Sequence, residues 1–179
     1  EQAAKQGHGE SFYRLGIYSI YGLNDQKVAC EDAYALFESA QSRNVQVAFN
    51  DHAWMLATLP DKACRNGEKA WRIYSKLERT FGSNGLIPLA YLDTKAAVLA
   101  EISEFNGAIK LQTYIVEEFC DVKLEEGMNI NDWMALAAKQ APEFCSHGVE
   151  RLKSYIDRKP WREQPEGDSE EKDSDNTID

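Results

Sequence analysis

Residues 50–71 read NDHAWMLATLPDKACRNGEKAW, and residues 90–111 read AYLDTKAAVLAEISEFNGAIKL. In the first, an apolar-striped helix is stopped by Leu59-Pro60, because the residue before a proline disfavours helical angles, and a second helix starts at Gly67. Sliding the chain against itself extends this pair in both directions. At an offset of 37 residues Ala33 falls on Ala70, Tyr34 on Trp71, Leu36 on Ile73, Phe37 on Tyr74 and Ala40 on Leu77. The same offset puts Gly16 on Ala53 and Ile17 on Trp54. A third copy slips slightly: Ala108 follows Ala70 by 38 residues and Ala96 follows Ala53 by 43. Apart from Ala40 on Leu77 and Ile17 on Trp54, small sites match small sites and aromatic sites match aromatic ones, which is how repeated pairs of packed helices are written.

Apolar spacing and breakers place the helices at residues 11–21, 31–43, 45–58, 67–81, 89–102, 104 to about 125, 131–141 and 148–158. No segment alternates with the two-residue period of a strand. The chain is expected to be all-α, a right-handed α-solenoid of helix-turn-helix repeats. A glycine such as Gly16 inside a helix costs about 1 kcal/mol relative to alanine, and close approach of a partner helix would compensate it. Tyr34, Phe37, Trp71, Tyr74 and Phe105 supply bulk around these small contacts and read as core.

These segments resemble tetratricopeptide repeats of bacterial type. The carrying residues are Ala53-Trp54, Leu56-Ala57-Thr58, Pro60-Asp61 and Gly67-Glu68 with Ala70, then Leu92-Asp93-Thr94, Ala96-Ala97, Ala100-Glu101, Phe105 and Ala108. Gly7-His8-Gly9-Glu10, with Tyr13-Arg14-Leu15-Gly16, Ala33, Phe37 and Ala40, is closer to the Sel-one-like variant. The resemblance covers roughly residues 1–162 and implies a protein-interaction module. Arg151-Leu152, Tyr155 and Lys159-Pro160-Trp161-Arg162-Glu163 resemble the helix and short tail that follow such arrays. His52 and Lys95 stand where the family usually carries leucine and are expected at the rim, since a buried cation is costly. Trp133, Leu136 and Ala137 read as a degenerate helix capping the open end.

By the resemblance, the first helices line a concave groove with Tyr13, Ile17, Tyr21, Asn50, Trp54, Thr58, Asp93, Ala97 and Glu101. Rings with amide and carboxylate groups suit an extended peptide. This set holds no lysine or arginine, so a neutral or basic partner segment is expected. Catalytic patterns are missing: His8, His52 and His147 form no triad, no Gly-x-Ser-x-Gly or His-Glu-x-x-His occurs, and Cys145-x-His147 lacks the further ligands of a zinc site. No enzyme activity, cofactor or metal is expected. Cys30 and Cys64 fall in corresponding turns, where a disulfide would be worth roughly 3–4 kcal/mol; four reduced thiols are the alternative.

The longest apolar run, residues 133–138, is far short of the ~20 needed to cross a bilayer. The net charge of −10 argues against nucleic-acid binding. Residues 163–179 hold eight acids against Lys172, and with one isoleucine they read as a disordered acidic tail beyond a domain of residues 1–162. The opening EQAAKQGHGES reads as the close of one helix running into a repeat. That fits a periplasmic protein whose leader was removed, or part of a longer cytoplasmic chain. The expected function is a scaffold or adaptor for a protein partner. A docking module of a larger enzyme and a self-association unit are the alternatives.

Overall fold

A computed structural model describes residues 8–22, 29–81, 85–140 and 142–164. Among them the secondary structure is helical, without strands: α1 Gly9–Tyr21, α2 Cys30–Gln41, α3 Gln46–Thr58, α4 Gly67–Thr80, α5 Leu89–Glu101, α6 Phe105–Cys120, α7 Ile130–Gln140 and α8 Pro142–Ile156. Local chemistry sets the ends. Gly22 closes α1 at φ 70°, a left-handed conformation that glycine adopts without strain. Asn66 opens α4 by accepting the Lys69 N–H at 2.8 Å.

Two ends differ from the spacing-based expectation. Helix α6 stops at Cys120, short of Glu125, because Asp121 turns left-handed at φ 51°. The Glu117 carboxylate then accepts the Leu124 N–H at 2.8 Å, holding the chain in a loop that apolar spacing does not reveal. Helix α8 begins at Pro142, well before Gly148. A proline needs no partner for its missing N–H in a first turn, so the residue that looks like a breaker is an initiator.

Each helix packs on its neighbour in sequence: α1 on α2, α3 on α4 and α5 on α6, with α3 also against α5 and α6 against α8. The matched small positions sit at these contacts. Ala33, Ala53, Ala70, Ala96 and Ala108 are all fully buried. A Cβ on Gly16 would come within 3.1 Å of the Phe37 ring, so this glycine is what lets α1 settle on α2. A second core joins α6, α7 and α8 around Cys120, Val122, Trp133, Met134, Val149 and Leu152. There the Trp133 indole donates to the Val122 carbonyl at 2.9 Å. Ala137 is buried with it, whereas Leu136, expected beside it in the cap, is exposed.

His52 is not at the rim. It is fully buried, stacked on Tyr34 at 4.7 Å between ring centroids, and its Nδ1 meets the Gln41 side-chain amide at 3.0 Å. Burial, with Lys69 nearby, pushes its pKa down to about 3, so the ring is neutral and the cost of a buried cation does not arise. Lys95 is part-buried and its ammonium reaches Glu78, as a snorkelling side chain does.

Two disulfides tie the turns. Cys30 at the start of α2 is bonded to Cys64 in the short turn before α4, and Cys120 at the end of α6 to Cys145 in α8. The pairing of Cys120 with Cys145 has no signal in the spacing of the sequence. Beyond α8 the chain reverses, with Arg158 left-handed at φ 57° and the Ser154 hydroxyl donating to the Lys159 carbonyl at 2.8 Å. Residues 159–164 then run back across the inner helices. The expected tail from residue 165 onward lies outside the described residues.

Candidate functional site

The nine groove positions occupy the first helix of each pair, α1, α3 and α5, yet they do not form one open trough. Thr58 and Ala97 are buried in the packing, and Ile17 is half-buried against it. Two groups form around the returning C-terminal segment, with Trp54 common to both.

The first group lies under that segment. The Glu163 N–H donates to the Thr58 carbonyl at 2.9 Å, and Arg162 donates to the Ala57 carbonyl at 2.8 Å. Proline at 60 ends α3 close by, which leaves these last-turn carbonyls without intrahelical partners. The Trp54 indole and the Tyr21 hydroxyl both donate to the Glu163 carboxylate. Arg162 forms an ion pair with Glu101 at 2.6 Å, and Arg65 approaches the same carboxylate at 3.5 Å. Trp161 packs on Trp54 with ring centroids 5.7 Å apart. Tyr21, Trp54, Thr58 and Glu101 thus hold a piece of their own chain that includes Glu163. Burial raises the Glu163 pKa, opposed by the donors from Trp54, Tyr21 and Thr58.

The second group stays open. Asn50, Asp51, Trp54, Asp93 and Arg151 line a pocket of about 280 Å³ whose apolar walls come from Ile115, Val116 and Phe119 of α6. The Cys120 and Cys145 residues of the second disulfide close one side. Arg151 of α8 grips Asp93 with two contacts, Nε to Oδ1 at 3.1 Å and Nη2 to Oδ2 at 3.0 Å. This fork geometry is the strong form of the carboxylate pair. The same guanidinium lies 5.8 Å from the Trp54 ring centre and 5.5 Å from that of Trp161, so one side chain links pocket and returning segment. Burial raises the Asp93 pKa, and Arg151 acts against it. The Tyr13 hydroxyl donates to Asp51 Oδ2 at 2.7 Å and the Asn50 amide to Oδ1 at 3.0 Å. Burial and the Asp51 carboxylate both raise the Tyr13 pKa.

Arginines reach this face from elements other than the first helices. Arg65, Arg151 and Arg162 arrive from a turn, from α8 and from the returning segment, and each faces a carboxylate. Asp51, Phe119, Arg151 and Trp161–Glu163 are the residues that sequence reasoning left out of the site. Trp161 carried a signal: it is the last aromatic side chain before a run of acids and small residues, and an aromatic in such surroundings needs a surface to cover. Among the described residues no group of histidine, cysteine and carboxylate side chains could hold a metal ion. Nor is any described helix long and apolar enough to cross a membrane. Comparison with protein-family models, with curated proteins and with solved structures finds no match to this chain.

Proposed function

We propose that this chain is a non-catalytic protein-interaction scaffold, built from about three tetratricopeptide-like repeats, that holds a neutral or basic peptide segment of a partner on its inner face. The partner segment lies beside residues 161–163, in the open half of the face.

One observation carries this reading: the inner face holds residues 161–163 by the chemistry of peptide recognition. A backbone N–H reaches a free helix-end carbonyl, an aromatic side chain covers an aromatic side chain, and charged groups find fixed partners. The open pocket continues the same surface with the same mixture of ring, amide and carboxylate. The pairing of α1 with α2, α3 with α4 and α5 with α6, with alanines at matched contacts, supports the repeat reading. The two disulfides support an oxidising compartment, as for an exported protein.

Selection of displayed random decapeptides on the immobilised chain tests the proposal. Sequences should enrich on the wild-type chain and lose most of their binding to Phe119→Ala, a half-exposed side chain at the pocket whose removal leaves the cores intact. If no sequence enriches, or if enriched sequences bind Phe119→Ala equally, the inner face is not a peptide site.

A further inference from the structure

The pocket also specifies the side chain it would take, an inference that rests on the peptide reading above. Its two carboxylates differ in charge balance. Asp93 is matched by Arg151. Asp51 receives only neutral donors, the Tyr13 hydroxyl and the Asn50 amide, and no ion pair to it occurs among the described residues. The pocket therefore carries one uncompensated negative charge. Its field is felt around it: the Asp51 carboxylate contributes to the raised pKa of Tyr13, Tyr91 and Glu163.

Asn50 supplies an independent sign. Its side chain is 8% exposed and lines the pocket, and its Oδ1 has no donor. Folded chains seldom leave a buried carbonyl oxygen unpaired without cause. Reversing the amide would not cure this, since it would set Oδ1 against the Asp51 carboxylate. The wall of the pocket thus holds a carboxylate without a cation beside a buried amide oxygen without a donor. Trp54, Ile115 and Phe119 line the same pocket.

We propose that the pocket receives one basic side chain of the partner segment, arginine or lysine, with its cationic end at Asp51 and Asn50 and its methylene stem along Trp54, Ile115 and Phe119. Long cationic side chains bury their stems on apolar walls in this way. An acidic side chain would face the Asp51 charge, and a purely apolar one would desolvate that carboxylate without a partner. The guanidinium fork answers two adjacent acceptors better than a point charge, so arginine is the favoured residue.

The probes are two blocked heptapeptides, three alanines on either side of arginine or of its neutral isostere citrulline. They are titrated into the isotopically labelled chain while the Asn50 side-chain amide and the Trp54 indole signals are followed. The arginine peptide should saturate both signals and bind at least about tenfold more tightly than the citrulline peptide. Asp51→Asn should bring that ratio close to one, while Phe119→Ala should weaken both peptides and keep the ratio. Equal affinity of the two peptides for the wild-type chain overturns the basic anchor and leaves the peptide site standing. Binding that leaves the Asn50 signals unmoved overturns the pocket assignment. If neither heptapeptide binds while selected decapeptides do, the anchor fails alone; if nothing binds, the peptide reading fails with it.

Discussion

The core between α1 and α4 and the inner face over α3 and α5 are built from the same helices by different means. The core is alanine against ring and aliphatic against aliphatic: Ala33, Phe37, Ala53, Ala70, Tyr74 and Leu77 are all fully buried. Its single cationisable member, His52, is held neutral. The inner face instead stabilises its occupant by paired charges and aromatic contact, with Arg162 and Arg65 on Glu101, Arg151 on Asp93, and Trp161 on Trp54. Apolar packing is strong wherever shapes fit, whereas paired charges are worth much only while both partners stay. The core should therefore resist change in solvent and the inner face should respond to it.

The largest effect should come from the core. Phe37→Ala removes the ring that fills the gap left by Gly16 and should cost about 3–5 kcal/mol, read from urea unfolding. A loss under about 1 kcal/mol would mean that α1 and α2 are not packed as described.

Replacing both Cys30 and Cys64 by serine should cost about 3–4 kcal/mol in the same measurement, since the bridge closes a loop of 34 residues. A cost as large as this with an unchanged circular-dichroism spectrum would separate the constraint of the bridge from the packing beneath it.

Acid should expose His52. Its folded pKa lies below its unfolded value, so the unfolded chain takes up the proton first as pH falls. Stability is therefore lost between about pH 6.5 and pH 3. At about 1.4 kcal/mol per unit, acidification from pH 6.5 to 4.5 should remove up to about 2.5 kcal/mol. Asp93 and Glu163 act in the opposite sense, because burial raises their pKa values and favours the protonated fold. Comparison with His52→Leu isolates the histidine: the variant should lack its share of the slope, and parallel pH profiles would contradict the buried neutral ring.

The smallest of these effects belongs to the inner face. Trp161→Ala should cost only about 1–2 kcal/mol of global stability while freeing residues 161–164. Trypsin should then cleave after Arg162 faster than in the wild-type chain. Equal cleavage rates would remove Trp161 as the anchor of that segment.

The same contrast explains what the sequence discloses. Helices α1 to α5 are legible because breakers mark their ends and the helices they pack on lie close in sequence. The end of α6 is hidden in one carboxylate, Glu117, that captures the Leu124 N–H, and the start of α8 in a proline that reads as a breaker. His52 is misplaced by any rule that treats histidine as charged. The inner face is half legible. The resemblance drawn from the sequence points to Tyr21, Asn50, Trp54, Asp93 and Glu101, but their partners lie far along the chain, with Ala57–Arg162 and Trp54–Glu163 separated by 105 and 109 residues. No periodicity connects such positions, and the arginines they bring pair with the carboxylates of Asp93 and Glu101.

Amide hydrogen exchange at Glu163 tests the centre of this account, the docking of the C-terminal segment on the inner face. Because its N–H is held by the Thr58 carbonyl at 2.9 Å, it should exchange at least about tenfold more slowly than an unstructured amide. Glu101→Gln should remove most of that protection while the amides of α3 keep theirs. Exchange of the wild-type Glu163 amide at the unstructured rate would mean that the segment does not occupy the face, and that the whole groove is open.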